Sequence, residues 1–322
     1  MSILIYAESA EGKFKKVAFE LAAYGKKVAE SLGTTVTAVT VNASDVSELS
    51  KYGVDKVLKV NNDQLKNFSA KAYADVIKQA AQKENVKVVL LSSTTDSLYL
   101  APLVAVALDA GYASNVVGLP VSTSPFQVKR HAFSNKAFAV SEITTDVKVL
   151  GLAKNSYGIF ESQSSMTEED FSPSIGENDF GVKTESVDKT VGKVTIADAD
   201  VVVSGGRGLK GPENWHLLED LASAFGAATA CSKPVSDLGW RPHTEHVGQT
   251  GKPVAANLYV AVGISGAIQH IAGINSSKVK LVINADADAP FFKVADYGVV
   301  GDAFTILPEL AEKIRAFKAQ NS

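Results

Sequence analysis

The chain has 322 residues, more than the roughly 100 to 200 of a single typical domain, so two domains are expected. Its 46% hydrophobic and 21% charged residues make a packed globular protein rather than a disordered or fibrous one. Lys and Arg number 32 against 35 Asp and Glu, a net charge of −3, which supplies no basic face for nucleic acid.

A single cysteine, Cys231, excludes an intrachain disulfide and any cysteine-only metal or iron–sulfur site built by this chain alone. The start, Ser2-Ile3-Leu4-Ile5-Tyr6-Ala7-Glu8, meets an acid after a short apolar run and has no basic segment before it. It reads as a first strand of a cytoplasmic protein without signal or transit peptide, and no run nears the ~18 apolar residues of a membrane span.

From residue 3 to residue 153, short β-branched runs alternate with amphipathic segments. Strands are expected at 3–6, 35–41, 57–60, 86–92, 137–141 and 147–152. Helices are expected at 13–32, 69–83 and 98–110, the last with Pro102 in its first turn or two, where a missing N–H costs least. From Phe160 to about Asp188 the periodicity stops, and the polar stretch containing Glu168-Glu169-Asp170 reads as an interdomain connection. The alternation then resumes: strands at 201–203, 258–262, 280–283 and 297–300, and helices at 213–225, 267–272 and 307–317. The fold class is therefore α/β, two three-layer domains with mainly parallel sheets, the second Rossmann-like. The boundaries are 1–188 for a scaffold domain with its polar linker and 189–322 for a nucleotide-binding domain.

Chemistry-bearing turns follow the strands of the second half. In Ser204-Gly205-Gly206-Arg207-Gly208-Leu209-Lys210-Gly211, glycines allow backbone N–H groups close to a phosphate, and Arg207 can fork onto its oxygens. Gly206-x-Gly208-x-x-Gly211 also matches a dinucleotide fingerprint, which keeps open a nicotinamide-dependent oxidoreductase or a regulatory module binding an adenine nucleotide. A second anion site is expected where the run Tyr259 to Val262 meets Gly263-Ile264-Ser265-Gly266. Val247-Gly248-Gln249-Thr250-Gly251 could border a planar heteroaromatic ring, with little bulk at its face and polar groups at its edge. His243-Thr244-Glu245-His246 lacks the helical context and further ligands of a zinc site and reads as a loop. His131 and His216 stand alone, and Trp215 and Trp240 read as packing residues.

Taken together, the segments from 201 to 317 resemble the FAD-binding domain of the electron transfer flavoprotein α-subunit family. Those segments are Ser204 to Gly208, Val247 to Gly251, Ala261 to His270 and Val294-Ala295-Asp296-Tyr297-Gly298. The N-terminal half is similar in pattern to that family's nucleotide-hydrolase-like domain, which scaffolds and contacts the partner. The resemblance implies an electron carrier, not an enzyme with its own substrate. It further implies a heterodimer with a β-subunit, FAD in this chain's second domain, and AMP in the partner. Electrons would pass singly from acyl-CoA dehydrogenases and related flavoenzymes, as in fatty acid β-oxidation, to a membrane quinone oxidoreductase. By the same resemblance Arg207 contacts the FAD phosphates and Ser232 lines the cofactor. Val247, Gly248, Gln249 and Thr250 border the isoalloxazine ring, with the Thr250 hydroxyl near N5. Ser265, Gly266, Ala267, Ile268 and Gln269 hold the phosphate and ribityl portion, and His270 faces the pyrimidine edge near O2. Asn284, Asp302 and the backbone at Ala303 hold the adenosine end. Many α-subunits place an arginine where this chain has Lys233, which keeps the charge but loses the planar fork.

Overall fold

A computed structural model describes residues 2–133, 135–182, 184–187, 195–196 and 199–321. The chain divides into two compact units, one of Met1–Phe133 with Ala137–Val187, the other of Asp188–Ser322 with Ser134–Lys136. Among the described residues no helix is long and apolar enough to cross a membrane.

The first unit begins with β1 (Ser2–Tyr6), a hairpin of β2 (Ser9–Ala10) and β3 (Lys13–Phe14), helix α1 (Lys16–Leu32), β4 (Thr35–Val41) and β5 (Lys56–Val60). It continues through α2 (Ala70–Lys83), β6 (Val88–Ser92), α3 (Thr95–Ala107), β7 (Gly111–Val116), β8 (Ser122–Thr123), β9 (Phe126–Ala132), β10 (Ala137–Glu142), β11 (Lys148–Leu152) and β12 (Thr167–Asp170). Apart from the β2–β3 hairpin, the strands form one sheet in the order β10-β9-β7-β11-β6-β1-β4-β5-β12, with β8 on β9. Ile3, Ile5, Val36 and Leu90 point to one face with α1, and Leu4, Val39, Val89 and Leu91 to the other with α2 and α3. The run at β1 is buried throughout because helices cover both faces, so apolar residues are contiguous rather than alternating.

Three expectations need correction here. The first helix starts at Lys16, because Lys13 and Phe14 pair with Ser9 and Ala10. Pro102 lies in the interior of α3 rather than near its start. Its ring is exposed, and so is Leu98 four residues earlier, whose carbonyl loses the proline's missing donor on the side where water can replace it. The polar stretch after Phe160 is not simply a connection. Residues Thr167–Asp170 form β12, parallel to β5 at the edge of the sheet, and Met166, Phe171, Ile175 and Phe180 pack against the first unit's core. Its acids are held by lysines: Glu168 by Lys59 at 3.0 Å, and Glu169 by Lys56 at 2.8 Å and Lys83 at 2.7 Å. The hydrogen bonds from Lys56 and then Lys83 hold the Glu169 carboxyl down to about 2. Charge pairing thus supplies what apolar burial does not.

The second unit has β13 (Val201–Gly205), α4 (Trp215–Phe225), β14 (Ala228–Cys231), α5 (Lys233–Asp237), β15 (Leu258–Val262), α6 (Ile268–Ile274), β16 (Val279–Asn284), β17 (Tyr297–Val300) and α7 (Ala303–Gln320). Its five strands are all parallel, in the order β14-β13-β15-β16-β17. Successive strands run outward in opposite directions from β13, which makes the gap between β13 and β15 the topological switch point of a doubly wound sheet. One face is covered by α4 and α7 through Trp215, Leu218, Leu221, Leu307 and Ala311. The other is covered by α6 and by irregular chain carrying Val247, Val254, Ala256 and Phe291.

Candidate functional site

The motif residues that follow the strands of the second unit lie at the carboxyl edge of this one sheet. Arg207 follows β13, Ser232 and Lys233 follow β14, the run Ser265 to His270 follows β15, Asn284 ends β16, and Asp302 and Ala303 follow β17. Neighbouring strands lie about 4.8 Å apart, so five strand ends make an edge of about 19 Å. A compact ligand would need two adjacent ends. Residues spread over five ask for an elongated one.

The switch point is closed by backbone meeting backbone. Gly206 N–H donates to Val262 O at 2.8 Å, and Gly208 N–H to Gly263 O at 3.0 Å. A Cβ on Gly206 would stand 2.2 Å from Gly263 O, so only glycine allows this approach. Gly205 is held likewise by Trp215, whose ring would meet a Cβ there at 2.5 Å. The loop passes through a short 3-10 turn, Arg207–Leu209, and a second, Pro212–Asn214, before α4 begins at Trp215. A dinucleotide fingerprint of the nicotinamide type needs a tight turn straight into its helix and an acid after the next strand. Here the helix starts late, and the next strand, β14, runs into Ser232 and Lys233.

Beside the switch point, Ser232 N–H continues the ladder to Gly205 O at 3.0 Å, and its side chain is buried at the start of α5. Lys233 is exposed and 3.5 Å from Asp237. Val247 N–H reaches Cys231 O at 3.0 Å, and Gln249 N–H reaches Gln269 O at 2.8 Å, so the Val247 to Thr250 loop bridges β14 and α6. Val247 is fully buried while Gln249 and Thr250 are exposed. Gly248 packs on Gly273, where a Cβ would meet Gly248 Cα at 2.5 Å.

After β15, Gly263 and Gly266 adopt left-handed φ values of +61° and +91°. Ser265 O accepts from Phe291 N–H at 3.0 Å, and Ser265, Ala267, Ile268 and Gln269 are exposed. Ile268 is 60% exposed, an apolar side chain left uncovered beside the polar Gln249 loop. Asn284 donates from Nδ2 to Ile264 O at 3.1 Å and accepts from Asp286 N–H, so it shapes the β15 loop from the next strand. Asp302 caps α7 by accepting from Phe304 N–H at 3.1 Å, and Ala303 is buried.

His270, expected to face the pyrimidine edge of the ring near O2, lies in the first turn of α6. Its imidazole is buried, its Nε2 lies 2.8 Å from the Tyr259 hydroxyl, and its Nδ1 makes no regular hydrogen bond among the described residues. Burial, then the neighbouring His246, push it down to about 4, with the Val247 backbone opposing. Cys231 is buried as well, its thiol pushed up to about 12 by burial and then by Glu245. Among the described residues no group of three His, Cys, Asp or Glu could hold a metal ion, and His243 bonds Ser236 Oγ at 2.8 Å instead.

Sequence reasoning missed three supports of this edge. Strand β14 is short and made of small residues, Ala228 to Cys231. Tyr259 sits mid-strand among apolar residues and shows its polar partner only in three dimensions. Arg241 forks onto Glu245 at 2.8 and 2.7 Å, reaches Glu219 at 3.1 Å, and lies 5.6 Å from the Trp215 ring centroid. It thereby ties the chain leading into the Val247 loop to helix α4.

The cradle suits FAD on its own features: a glycine-lined crossing at the switch point, exposed donors along the edge, and an uncovered Ile268 for a flat ring. Comparison with known proteins gives the family. A family model described as "Electron transfer flavoprotein domain" matches residues 3–172, and one described as "Electron transfer flavoprotein FAD-binding domain" matches residues 195–275. The chain is 34% identical to the electron transfer flavoprotein subunit alpha of Thermoanaerobacterium thermosaccharolyticum, over 98% of each chain. It is 36% identical to that of Syntrophomonas wolfei, over 97% of this chain and 98% of the relative. It is also 33% identical to a protein named FixB from Clostridium saccharobutylicum, over 96% and 94%.

Proposed function

The chain belongs to the electron transfer flavoprotein family as an α-subunit, and from that premise we propose that the carboxyl edge of its second unit holds FAD in an extended pose. FAD is its cofactor and a β-subunit its partner in a heterodimer. The observation that carries the reading is the distribution of the motif residues over all five strand ends.

Bound FAD supplies one-electron redox chemistry that no side chain here has. Arg207 and the backbone around Gly206 and Gly263 would take the pyrophosphate, with Ser265 to Gln269 alongside. Val247 to Thr250 would border the ring, with Thr250 as its hydroxyl donor, and Ser232 would line it. Lys233 would favour negative charge developing on the reduced ring. Asn284, Asp302 and the Ala303 backbone would bound the adenosine end. His270 would face the pyrimidine edge of the ring near O2.

On this reading the protein is a cytoplasmic carrier without substrate turnover of its own. It takes electrons from acyl-CoA dehydrogenases and related flavoenzymes and passes them to a membrane quinone oxidoreductase, while the β-subunit holds AMP. A domain reorientation between donor and acceptor is part of the proposal. The test is the purified heterodimer mixed with a reduced acyl-CoA dehydrogenase while flavin absorbance is followed. A yellow complex bleached by the donor is expected. A complex that binds no FAD would overturn the site, and one that binds FAD but is not reduced would overturn the donor class.

A further inference from the structure

The loop after His246 leaves and rejoins the fold at one neck, and His246 itself forms that neck. Its carbonyl accepts from Lys252 N–H at 2.9 Å, closing the loop, while its own N–H donates to His243 O at 3.1 Å. The side chain is buried, and its imidazole makes no hydrogen bond among the described residues. What it supplies is bulk. Two glycines of the loop close on it: a Cβ on Gly251 would stand 2.4 Å from the His246 carbonyl oxygen, 2.8 Å from Nδ1 and 2.9 Å from Cγ, and one on Gly248 would stand 3.3 Å from Nε2. Gly248 is also held by α6, since a Cβ on Gly273 would meet its Cα at 2.5 Å. The imidazole enters from a braced anchor. The preceding 3-10 turn, His243–Glu245, is tied by His243 to Ser236 Oγ at 2.8 Å and by Glu245 to Arg241 at 2.8 and 2.7 Å.

We infer that His246 is a positioning residue: its imidazole is a wedge that sets the shape of the Val247 to Thr250 loop, and through it the place of the exposed Gln249 and Thr250 side chains at the flavin. The glycines follow from the wedge, because a side chain at 248 or 251 would have to displace it. Removing the imidazole leaves a void against backbone that has no side chain to fill it, and the loop must relax into that space. A movement of about an ångström is enough to spoil a positioned contact. The inference rests on the FAD reading only for what the loop borders; the wedge itself belongs to this chain alone.

The experiment compares the FAD-loaded heterodimer with its His246→Ala and His246→Gln variants. In His246→Ala the Gly251 and Lys252 amides, bonded to Gly248 O and His246 O, should exchange about tenfold faster, the equivalent of one hydrogen bond given up. FAD should bind about tenfold more weakly, and the flavin midpoint should fall, because a hydroxyl donor withdrawn from its edge no longer favours the reduced form. Glutamine, planar and of similar length, fills the same space and should restore all three quantities. Amides of β13 and β15 should keep their wild-type exchange in both variants. Wild-type exchange at Gly251 and Lys252 in His246→Ala, or a His246→Gln protein no better than His246→Ala, would overturn the inference. So would opening of β13 and β15 together with the loop, which would make the imidazole ordinary core. Faster loop exchange with FAD affinity and midpoint unchanged keeps the wedge and removes the flavin from this loop, which separates the two readings.

Discussion

Gly206→Ala tests the switch-point crossing on which the site depends. At φ −114° the residue sits where alanine is conformationally allowed, so the perturbation is purely one of space. The new Cβ would stand 2.2 Å from Gly263 O, 2.7 Å from Gly263 C and 2.8 Å from Ile264 Cγ1, all but the last rigid backbone. Contacts under 3.0 Å essentially never occur at a real Cβ, so the two loops must part by close to an ångström. That movement loosens two hydrogen bonds, Gly206 to Val262 and Gly208 to Gly263, worth about 0.5–1.5 kcal/mol each. Overpacking adds about 1–3 kcal/mol.

A loss of about 3 kcal/mol in the second unit is therefore expected, equivalent to a melting shift of about 10 °C at this size. Calorimetry of the FAD-free heterodimer reads it directly. FAD affinity, followed by quenching of flavin fluorescence, should fall at least about tenfold, or 1.4 kcal/mol, because the displaced loop carries Arg207. Gly118→Ala is the control: it has open space around its Cβ and no left-handed φ, and should leave both quantities unchanged. A Gly206→Ala protein that melts with the wild type and keeps its FAD affinity would refute the crossing.

Lys233→Met should lower the midpoint potential of the bound flavin, and since Lys233 is 62% exposed the effect should shrink as salt is added; an unchanged midpoint at low salt would remove Lys233 from the site. Glu169, depressed to about 2 from an ordinary 4.5, contributes to holding β12 above pH 4.5 and loses that contribution as pH falls toward 2. Amide exchange of residues 167–170 should accelerate over that window before the rest of the first unit opens. His270 is held at about 4 against an ordinary 6.5, so the unfolded chain binds the extra proton between those values. The second unit should lose stability as pH falls through that interval, by on the order of 3 kcal/mol, with His246 contributing in the same direction. Acid titration of the unfolding midpoint in wild type and His270→Gln reads it, and parallel curves would contradict the burial argument. Arg241→Lys should cost about 1 kcal/mol and speed FAD release, because an ammonium keeps the charge but not the fork onto Glu245; equal release rates would detach Arg241 from the ring loop.

Much of the fold was legible because its signals are local. The apolar runs at Leu258–Val262 and Tyr297–Val300 end where the strands end, since a glycine or an acid follows each. The turns after β13 and β15 were legible for a related reason: a close backbone approach demands glycine, and glycine is visible in sequence. What failed was whatever depends on a partner far along the chain. The acids of β12 read as linker because their stabilisation comes from Lys56, Lys59 and Lys83, about a hundred residues earlier. β14 was missed because small residues suffice for a strand whose neighbours do the covering. The contact between His270 Nε2 and the Tyr259 hydroxyl was not visible in sequence because the two residues sit on different elements, α6 and β15.

The electrostatics of the site follow from the same division between buried and exposed. The titratable side chains buried at this edge, Cys231, His246, Tyr259 and His270, are all shifted toward their neutral forms. The charged motif residues, Arg207 and Lys233, stay in contact with solvent. A buried cation would stabilise a reduced ring strongly but would cost several kcal/mol to desolvate without a matching anion. A carrier that must both accept and release electrons has little use for so deep a well. On the proposed placement of the ring, screened cations at the rim would give a shallower stabilisation, one that a docking partner can alter by covering the edge and excluding water from it.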